Sequence, residues 1–286
     1  MSIRLLIPYQ SYEATRVQQE LLELGKEELK ILMWDSIYHP IIEFPDVLWV
    51  RFSPRIPIIY QLSTVEEFEN QGTRVVNSKS AIETCDKISS YLFWRRHFQD
   101  EVLMPQTLIT RNIDLAKDFI QEHDCIFKPI SLGLGQGIQR ISNDSQLDMT
   151  LQTLVEEYGL LFLQEFIANP GYDVRAIVID GENIIEYART NVNDFRYNIQ
   201  LGGEVKEINE IKMDPTILTK LREIAIIIAR KTKLDMVGID FIISDDLYTL
   251  YLLEWNAFFN FQGAETTLGV NVARKIAAFL NQLTQR

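Results

Sequence analysis

Apolar and polar positions change their period several times along the chain, and the changes mark elements. Ile3 to Pro8, Leu29 to Trp34, Val47 to Phe52 and Thr73 to Asn77 are short apolar runs that read as strands, while Glu13 to Leu24 has helical spacing. This alternation predicts a small α/β unit over residues 1–78, with a boundary at Asn77-Ser78. Beyond it the pattern predicts helices over Ala81 to His97 and Asp114 to Glu122, a strand ending at Phe127-Lys128, a glycine loop, a strand near Ile138 to Ile141 and a helix from Asp144 to Tyr158. Strands then dominate. Leu160 to Glu165, Tyr172 to Ile179 and Asn183 to Thr190 are β-rich, with Asp180-Gly181 as a turn signal. From Asp214 to about Lys231, residues Ile217, Leu218, Leu221, Ile224, Ala225 and Ile228 line one helical face, and two strands and a helix over Asn271 to Leu283 follow. The expected division is 1–78 and 79–286, the second with a central part over 79–160 and a C-terminal part over 161–286. The fold class is α/β (α+β).

The two late strands, Met236 to Ser244 and Tyr248 to Asn256, read as a hairpin. With its turn centred on Leu247, Asp240 pairs with Glu254, and the period of two puts Gly238, Asp240, Glu254 and Asn256 on one face and Ile239, Phe241, Leu253 and Trp255 on the other. Opposed acids repel unless a positive charge sits between them, and two carboxylates with an amide oxygen suit a hard cation such as Mg²⁺. Gly238 opposite Asn256 leaves room for a ligand. A solvated hairpin face is the competing reading from spacing alone.

Lys128 ends an apolar strand ahead of a loop with Gly133, Gly135 and Gly137. Alternate glycines free backbone amides to wrap a phosphate, and the lysine supplies a point charge; a plain turn is the alternative. Lys87 stands in a helix with nothing local to distinguish it. The segment Leu163-Gln164-Glu165-Phe166-Ile167 ends a strand; a plain strand end is the default reading, and last backbone N–H and C=O groups left free to read the edge of a flat base are the functional one. Arg175, Arg189 and Arg196, followed by Asn198, suggest a local anion pocket, with scattered surface arginines as the default.

Composition narrows the function classes. Among 286 residues, 47% are hydrophobic and 24% charged, with 13 Gly and 9 Pro, which excludes collagen-like and disordered chains. A net charge of −12 disfavours nucleic acid and anionic lipid as partners, so an anionic ligand needs a local basic site. No Gly-x-Gly-x-x-Gly follows the first strand, which removes a dinucleotide fingerprint. Cys85 and Cys125 are far apart without zinc-ligand spacing, and His39, His97 and His123 have no triad spacing. The N-terminus turns polar by Gln10, and no apolar run reaches the roughly 20 residues of a membrane span. A soluble, cytoplasmic protein is expected.

Taken in order, these segments resemble the ATP-grasp superfamily, and within it the glutamate ligases that modify ribosomal protein or tetrahydromethanopterin. The likeness covers about residues 77 to 286. It rests on Asn77, Ala81-Ile82 and Asp86-Lys87; Phe127-Lys128-Pro129 with its glycine loop; Gln164-Glu165-Phe166-Ile167; Asp173-Val174-Arg175; Arg189; the run from Phe195 to Gly203; Gly238-Ile239-Asp240; and Glu254-Trp255-Asn256. The resemblance implies an ATP-grasp fold in which Lys87 and Lys128 contact ATP phosphates, Glu165 and Phe166 hold adenine, and Asp173 reaches the ribose. It also implies that Asp240, Glu254 and Asn256 bind Mg²⁺, or Mn²⁺ in its place. The implied reaction joins a carboxylate acceptor, a cofactor or a protein tail, to an amine, glutamate by resemblance, through an acyl phosphate. Arg189, Arg196 and Asn198 are the candidates for stabilising the oxyanion. A kinase on the same fold and a silent nucleotide-binding module are the rivals, and a homo-oligomer is left open. The chain departs from the family after Asn256, where Ala257-Phe258-Phe259-Asn260 replaces Ser-Ser-Pro-Gly. The two aromatics there are expected to make the acceptor site flatter or more apolar.

Overall fold

A computed structural model describes residues 2–26, 29–130 and 135–285. In the first unit, β1 (Ile3–Ile7), α1 (Tyr12–Glu23), β2 (Lys30–Met33), β3 (Val47–Val50), α2 (Ile58–Asn70) and β4 (Arg74–Val76) build a parallel sheet in the order β2-β1-β3-β4. The sequence pattern did not announce α2. Its buried face carries Gln61 and Thr64 beside Val65 and Phe68, while Ile58 and Ile59 are exposed, so polar and apolar positions are partly exchanged. Gln61 is satisfied there by donating to the carbonyls of Ser53 and Ile56.

The single helix expected over 81–97 is broken into α3 (Lys79–Ile82) and α4 (Lys87–His97), with a 3-10 turn between. Asp86 causes the break: its backbone is extended and its carboxylate caps α4 by accepting from the Ile88 and Ser89 N–H groups. Lys87 is thereby the first residue of a helix. Then β5 (Thr107–Thr110), α5 (Ile113–Glu122), β6 (Cys125–Phe127), β7 (Gln139–Ile141), α6 (Leu147–Tyr158) and β8 (Leu161–Glu165) form an antiparallel sheet ordered β5-β8-β6-β7. Because β8 pairs with β5 and β6, this middle sheet extends through Glu165, past the expected limit at residue 160.

The third sheet, ordered β11-β10-β9-β12-β13, comprises β9 (Tyr172–Ile179), β10 (Glu182–Thr190), β11 (Glu204–Lys206), β12 (Met236–Ile243) and β13 (Leu250–Asn256). On one face α7 (Pro215–Thr232), capped by Asp214, packs Leu221, Ile224, Ala225 and Ile228 against Val174, Ala176, Val178, Ile239 and Phe241. Truncating Leu221 to Ala there would cost about 2–5 kcal/mol. At one end of the opposite face, Ile177, Ile179 and Met236 share a core with Leu5, Ile7, Trp49 and the helices α8 (Gln262–Leu268) and α9 (Val272–Leu283), which joins the first and third sheets. Asn77 locks the junction, donating to Met236 O (2.9 Å) and accepting from Met236 N (3.0 Å). The rest of that face carries the site, beside a small apolar cluster of Ile167, Tyr197 and Ile242. No described helix is long and apolar enough to cross a membrane.

Candidate active site

Sheet order and register decide which charges meet. On β9 the period of two puts Asp173 and Arg175 on the same face; across the ladders Asp173 pairs with Arg189, Arg175 with both Tyr187 and Asp240, and Asp240 with Glu254. The side chains complete an alternating row. Arg175 grips Asp240 with two bonds of 2.7 Å, Nε to Oδ1 and Nη2 to Oδ2. Arg189 holds Asp173 through Nε and Nη2 (2.8 and 2.5 Å), and its Nη2 lies 3.1 Å from Asp240 Oδ2. The positive charge that the opposed acids require therefore comes first from β9. Removing one partner of such a buried pair costs about 3–5 kcal/mol.

Burial alone would push the Asp240 carboxyl up, but the Arg175 and Arg189 guanidiniums outweigh it and hold it down at about 2. Asp173 goes the other way. Its burial, with Asp240 adding repulsion, raises its pKa despite Arg189. The row thus has one firmly ionised acid and one that accepts a proton more readily.

Beside the row lies a small pocket lined by Lys87, Lys128, Gln164, Leu253 and Glu254 among others. Lys128 is 8% exposed and donates to Gln164 Oε1 at 2.5 Å, while Gln164 Nε2 donates to Thr107 (3.0 Å). Desolvation, helped by the nearby Lys87 charge and opposed by Glu254 and Asp240, brings the Lys128 ammonium down to about 8. A cation held this dry is stabilised by an incoming anion. Asn256 donates Nδ2 to Glu254 Oε1 (3.1 Å), which leaves its carbonyl oxygen as the ligand it can offer a cation. Asp240, Glu254 and Asn256 are thus hard oxygen donors on one face of adjacent strands and suit Mg²⁺. Among the described residues, no group of three or more His, Cys, Asp and Glu could hold a metal.

The glycine loop is in part outside the described residues, Gly133 among them. Gly135 and Gly137 both have positive φ, 76° and 69°. Arg196 donates Nη1 to Gly135 O and Ile138 O (3.2 and 3.4 Å) while pairing with Asp194 at 2.6 Å, and a Cβ on Gly135 would stand 2.5 Å from Asn198 Oδ1. Arg196 and Asn198 therefore brace the loop, whereas Arg189 belongs to the buried row.

Four expectations about local geometry are corrected. The N–H groups of Glu165 and Phe166 are not free, since they donate to Gln106 O (2.8 Å) and Asp124 O (2.6 Å); the Phe166 ring instead lies against Arg140 at 4.1 Å and edge-on to Phe195. The room above Gly238 is filled, because a Cβ there would stand 2.6 Å from that of Phe259. Phe259 is buried and Phe258 packs on Phe52 (4.6 Å), so the aromatics tie the hairpin to the first unit rather than opening an apolar acceptor wall. Arg51 fastens the same segment, donating to the carbonyls of Phe258 and Phe259 and to Asn260 Oδ1. Finally, the register slips after Asp240, so that Phe241 faces Leu252, and Leu253 turns to the pocket side.

Arg175, Arg189 and Arg196, expected to form a local anion pocket, are instead paired with Asp240, Asp173 and Asp194; Arg175 thus belongs to the carboxylate row. Its signal was the Asp173-x-Arg175 spacing, which places both on one face; its partner depended on sheet order. Gln164, polar at the end of the apolar run Leu161-Phe162-Leu163, was a second signal.

A family model described as a RimK-like ATP-grasp domain matches residues 84–280. The chain belongs to the RimK-like ATP-grasp family. Among curated relatives of this ATP-grasp chain, a tetrahydromethanopterin:alpha-L-glutamate ligase of Methanocaldococcus jannaschii is 28% identical over 179 residues, covering 60% of this chain and 58% of that protein. A glutathione synthetase of Prochlorococcus marinus is 27% identical over 191 residues, covering 64% and 60%. The chain thus spans about three fifths of the length of these relatives. Among solved structures, the ATP-grasp ligase PsnB complexed with minimal precursor superimposes with a TM-score of 0.76 at 19% identity over 99% of both chains, a likeness of fold.

Proposed function

We propose that the protein is an ATP- and Mg²⁺-dependent carboxylate–amine ligase that forms an amide or peptide bond through an acyl phosphate. The observation that carries this reading is the meeting of the Asp240, Glu254 and Asn256 oxygens with the Lys87 and Lys128 pocket on one sheet face of an ATP-grasp chain. The curated relatives include a glutamate ligase and a glutathione synthetase, which supports carbon–nitrogen bond formation and glutamate as the amine. The cytoplasmic setting belongs to the same proposal, in keeping with two free cysteines whose thiols burial pushes up to about 12.

In this mechanism Lys87 and Lys128 bind the triphosphate. Lys128 is pre-paid: its desolvation is already incurred in the folded chain, so phosphate oxygens gain a charge-assisted bond without further dehydration of that group. Asp240, Glu254 and Asn256 would hold Mg²⁺, which when bound supplies Lewis-acid neutralisation of the phosphates. Gly135 and Gly137, with the Arg196 and Asn198 brace, would hold the loop over the phosphates and keep water out. Phe166 and Phe195 would flank the base, and Asp173 would reach the ribose. The carboxylate oxygen attacks the γ-phosphorus, ADP leaves, and the amine displaces phosphate from the acyl carbon; Arg189 would steady the negative charge on that carbon's oxygen. A cofactor carboxylate and a peptide carboxylate are the acceptor classes to test, and PsnB, solved with a peptide precursor, makes peptides worth including.

The test is an ADP-release screen of amino acids against carboxylate cofactors and peptides, with mass spectrometry of products. An amide with ADP and free phosphate supports the proposal. A stable phosphoester would assign the chain to the kinase reading, and nucleotide binding without turnover across the panel to the silent module.

A further inference from the structure

The two acids of the proposed metal set stand in different surroundings. Glu254 opens onto the lysine pocket. Asp240 is enclosed: its side chain is 4% exposed, both oxygens are taken by the Arg175 fork at 2.7 Å, and Arg189 adds a contact at 3.1 Å. A carboxylate has about four lone-pair directions, and three guanidinium contacts occupy most of them. Mg²⁺ and Mn²⁺ bind oxygen at about 2.1 Å in near-octahedral geometry, so an ion on Asp240 needs a lone pair now used by a guanidinium and would bring a second positive charge against it. Asp240 also needs some cation at all times, because Glu254 faces it from β13 and Asp173 lies across the row.

Resting on the metal reading above, we infer that Arg175 is the stand-in for the metal: the guanidinium and the divalent cation compete for Asp240, and the ion binds only as the Arg175 fork lets go. Arg189 is less committed to Asp240, since its two shortest bonds go to Asp173. The measured metal affinity therefore carries the cost of opening the Arg175–Asp240 pair. The sign of this effect separates it from simple positioning. If Arg175 merely oriented Asp240 as a ligand, removing it would weaken metal binding; as a competitor, removing it strengthens binding.

The experiment is Mn²⁺ titration of the full chain with the non-hydrolysable ATP analogue AMP-PNP, free Mn²⁺ being read by electron paramagnetic resonance. It is run at pH 8, where Asp240 keeps its charge with Arg189 beside it. Arg175→Met is expected to bind Mn²⁺ about tenfold more tightly than wild type, the scale of one charge-assisted hydrogen bond. Arg175→Lys, which keeps a cation but not the fork, should fall between. Equal or weaker binding by Arg175→Met would overturn the competition. Glu254→Gln separates the two levels of the argument: if it binds Mn²⁺ as tightly as wild type, the metal assignment itself fails and the competition with it. Should Arg175→Met not fold, Arg175→Lys takes its place, and tighter binding than wild type is still required. In wild type labelled with ¹⁵N-arginine, Mg²⁺ with AMP-PNP must also shift the Arg175 Nε–H signal, identified by its loss in Arg175→Lys; an unmoved signal overturns the inference.

Discussion

Replacing Lys128 by methionine removes a buried ammonium, and the structure sets the size of the effect from two sides. The ammonium titrates at about 8 in the folded chain against an ordinary 10.5, so its dehydration costs the apo fold about 3 kcal/mol at neutral pH. The variant escapes that cost but leaves Gln164 Oε1, now 2.5 Å from Nζ, without this donor in a buried site, a loss of about 1–3 kcal/mol. The two nearly offset, and Lys128→Met should stay folded. Nucleotide affinity has no such compensation. Losing a charge-assisted contact to phosphate is worth about 1.5–3 kcal/mol, or roughly tenfold to a hundredfold in Kd. The sign with pH follows from the same lowered pKa. Below about 8 the apo protein presents the ammonium; above it the apo protein has lost the proton that the bound phosphates favour, so wild-type affinity for Mg²⁺·ATP should weaken by up to tenfold per pH unit. Calorimetric titration from pH 7 to 9 reads both effects. A wild-type profile as flat as that of Lys128→Met, or equal affinities at pH 7, would refute the reasoning and remove Lys128 from the nucleotide site.

Glu254→Gln should abolish ADP release and shrink the joint thermal shift given by Mg²⁺ and ATP, with Asn256→Ala doing likewise more mildly. Because Arg175 and Arg189 already relieve Asp240, and Glu254 attracts Lys128, the apo melting temperature of Glu254→Gln should stay near that of wild type, as calorimetry of both forms would show. Asp240→Asn should cost about 3–5 kcal/mol in urea unfolding at pH 7 by leaving two buried guanidiniums short of charge. Its deficit should shrink as pH falls from about 4 toward 2, because the wild-type carboxyl, held down at about 2, loses its stabilising charge over that window. Gly238→Ala should destabilise by about 1–3 kcal/mol in thermal melts through its collision with the Phe259 Cβ, and Phe259→Leu, which keeps that atom, should not recover the loss.

Most of the secondary structure was legible because amphipathic periods are local. The Asp214 and Asn271 caps, the Asp180-Gly181 turn with φ of 53° and 73°, and the Asp240–Glu254 pairing all follow from residues within one element or one hairpin. What stayed hidden depended on distant partners or on single-residue shifts. The hairpin bulge that turns Leu253 toward the pocket leaves no mark in an apolar run. The placement of Arg175 against Asp240 depends on β9 lying beside β12, and the packing of Phe258 on Phe52 and of Phe259 on Gly238 depends on the first unit docking there. The helix α2 escaped because Gln61 and Thr64 take core positions that the pattern reserves for apolar residues.

Acyl-phosphate chemistry is the claim on which the functional account stands, and oxygen tracing tests it most directly. With the carboxylate substrate found by the screen labelled with ¹⁸O, attack on the γ-phosphorus and displacement by the amine carry one carboxylate oxygen into the released phosphate. The account predicts one ¹⁸O in each phosphate formed together with amide and ADP, read by mass spectrometry. Unlabelled phosphate accompanying amide formation would contradict it.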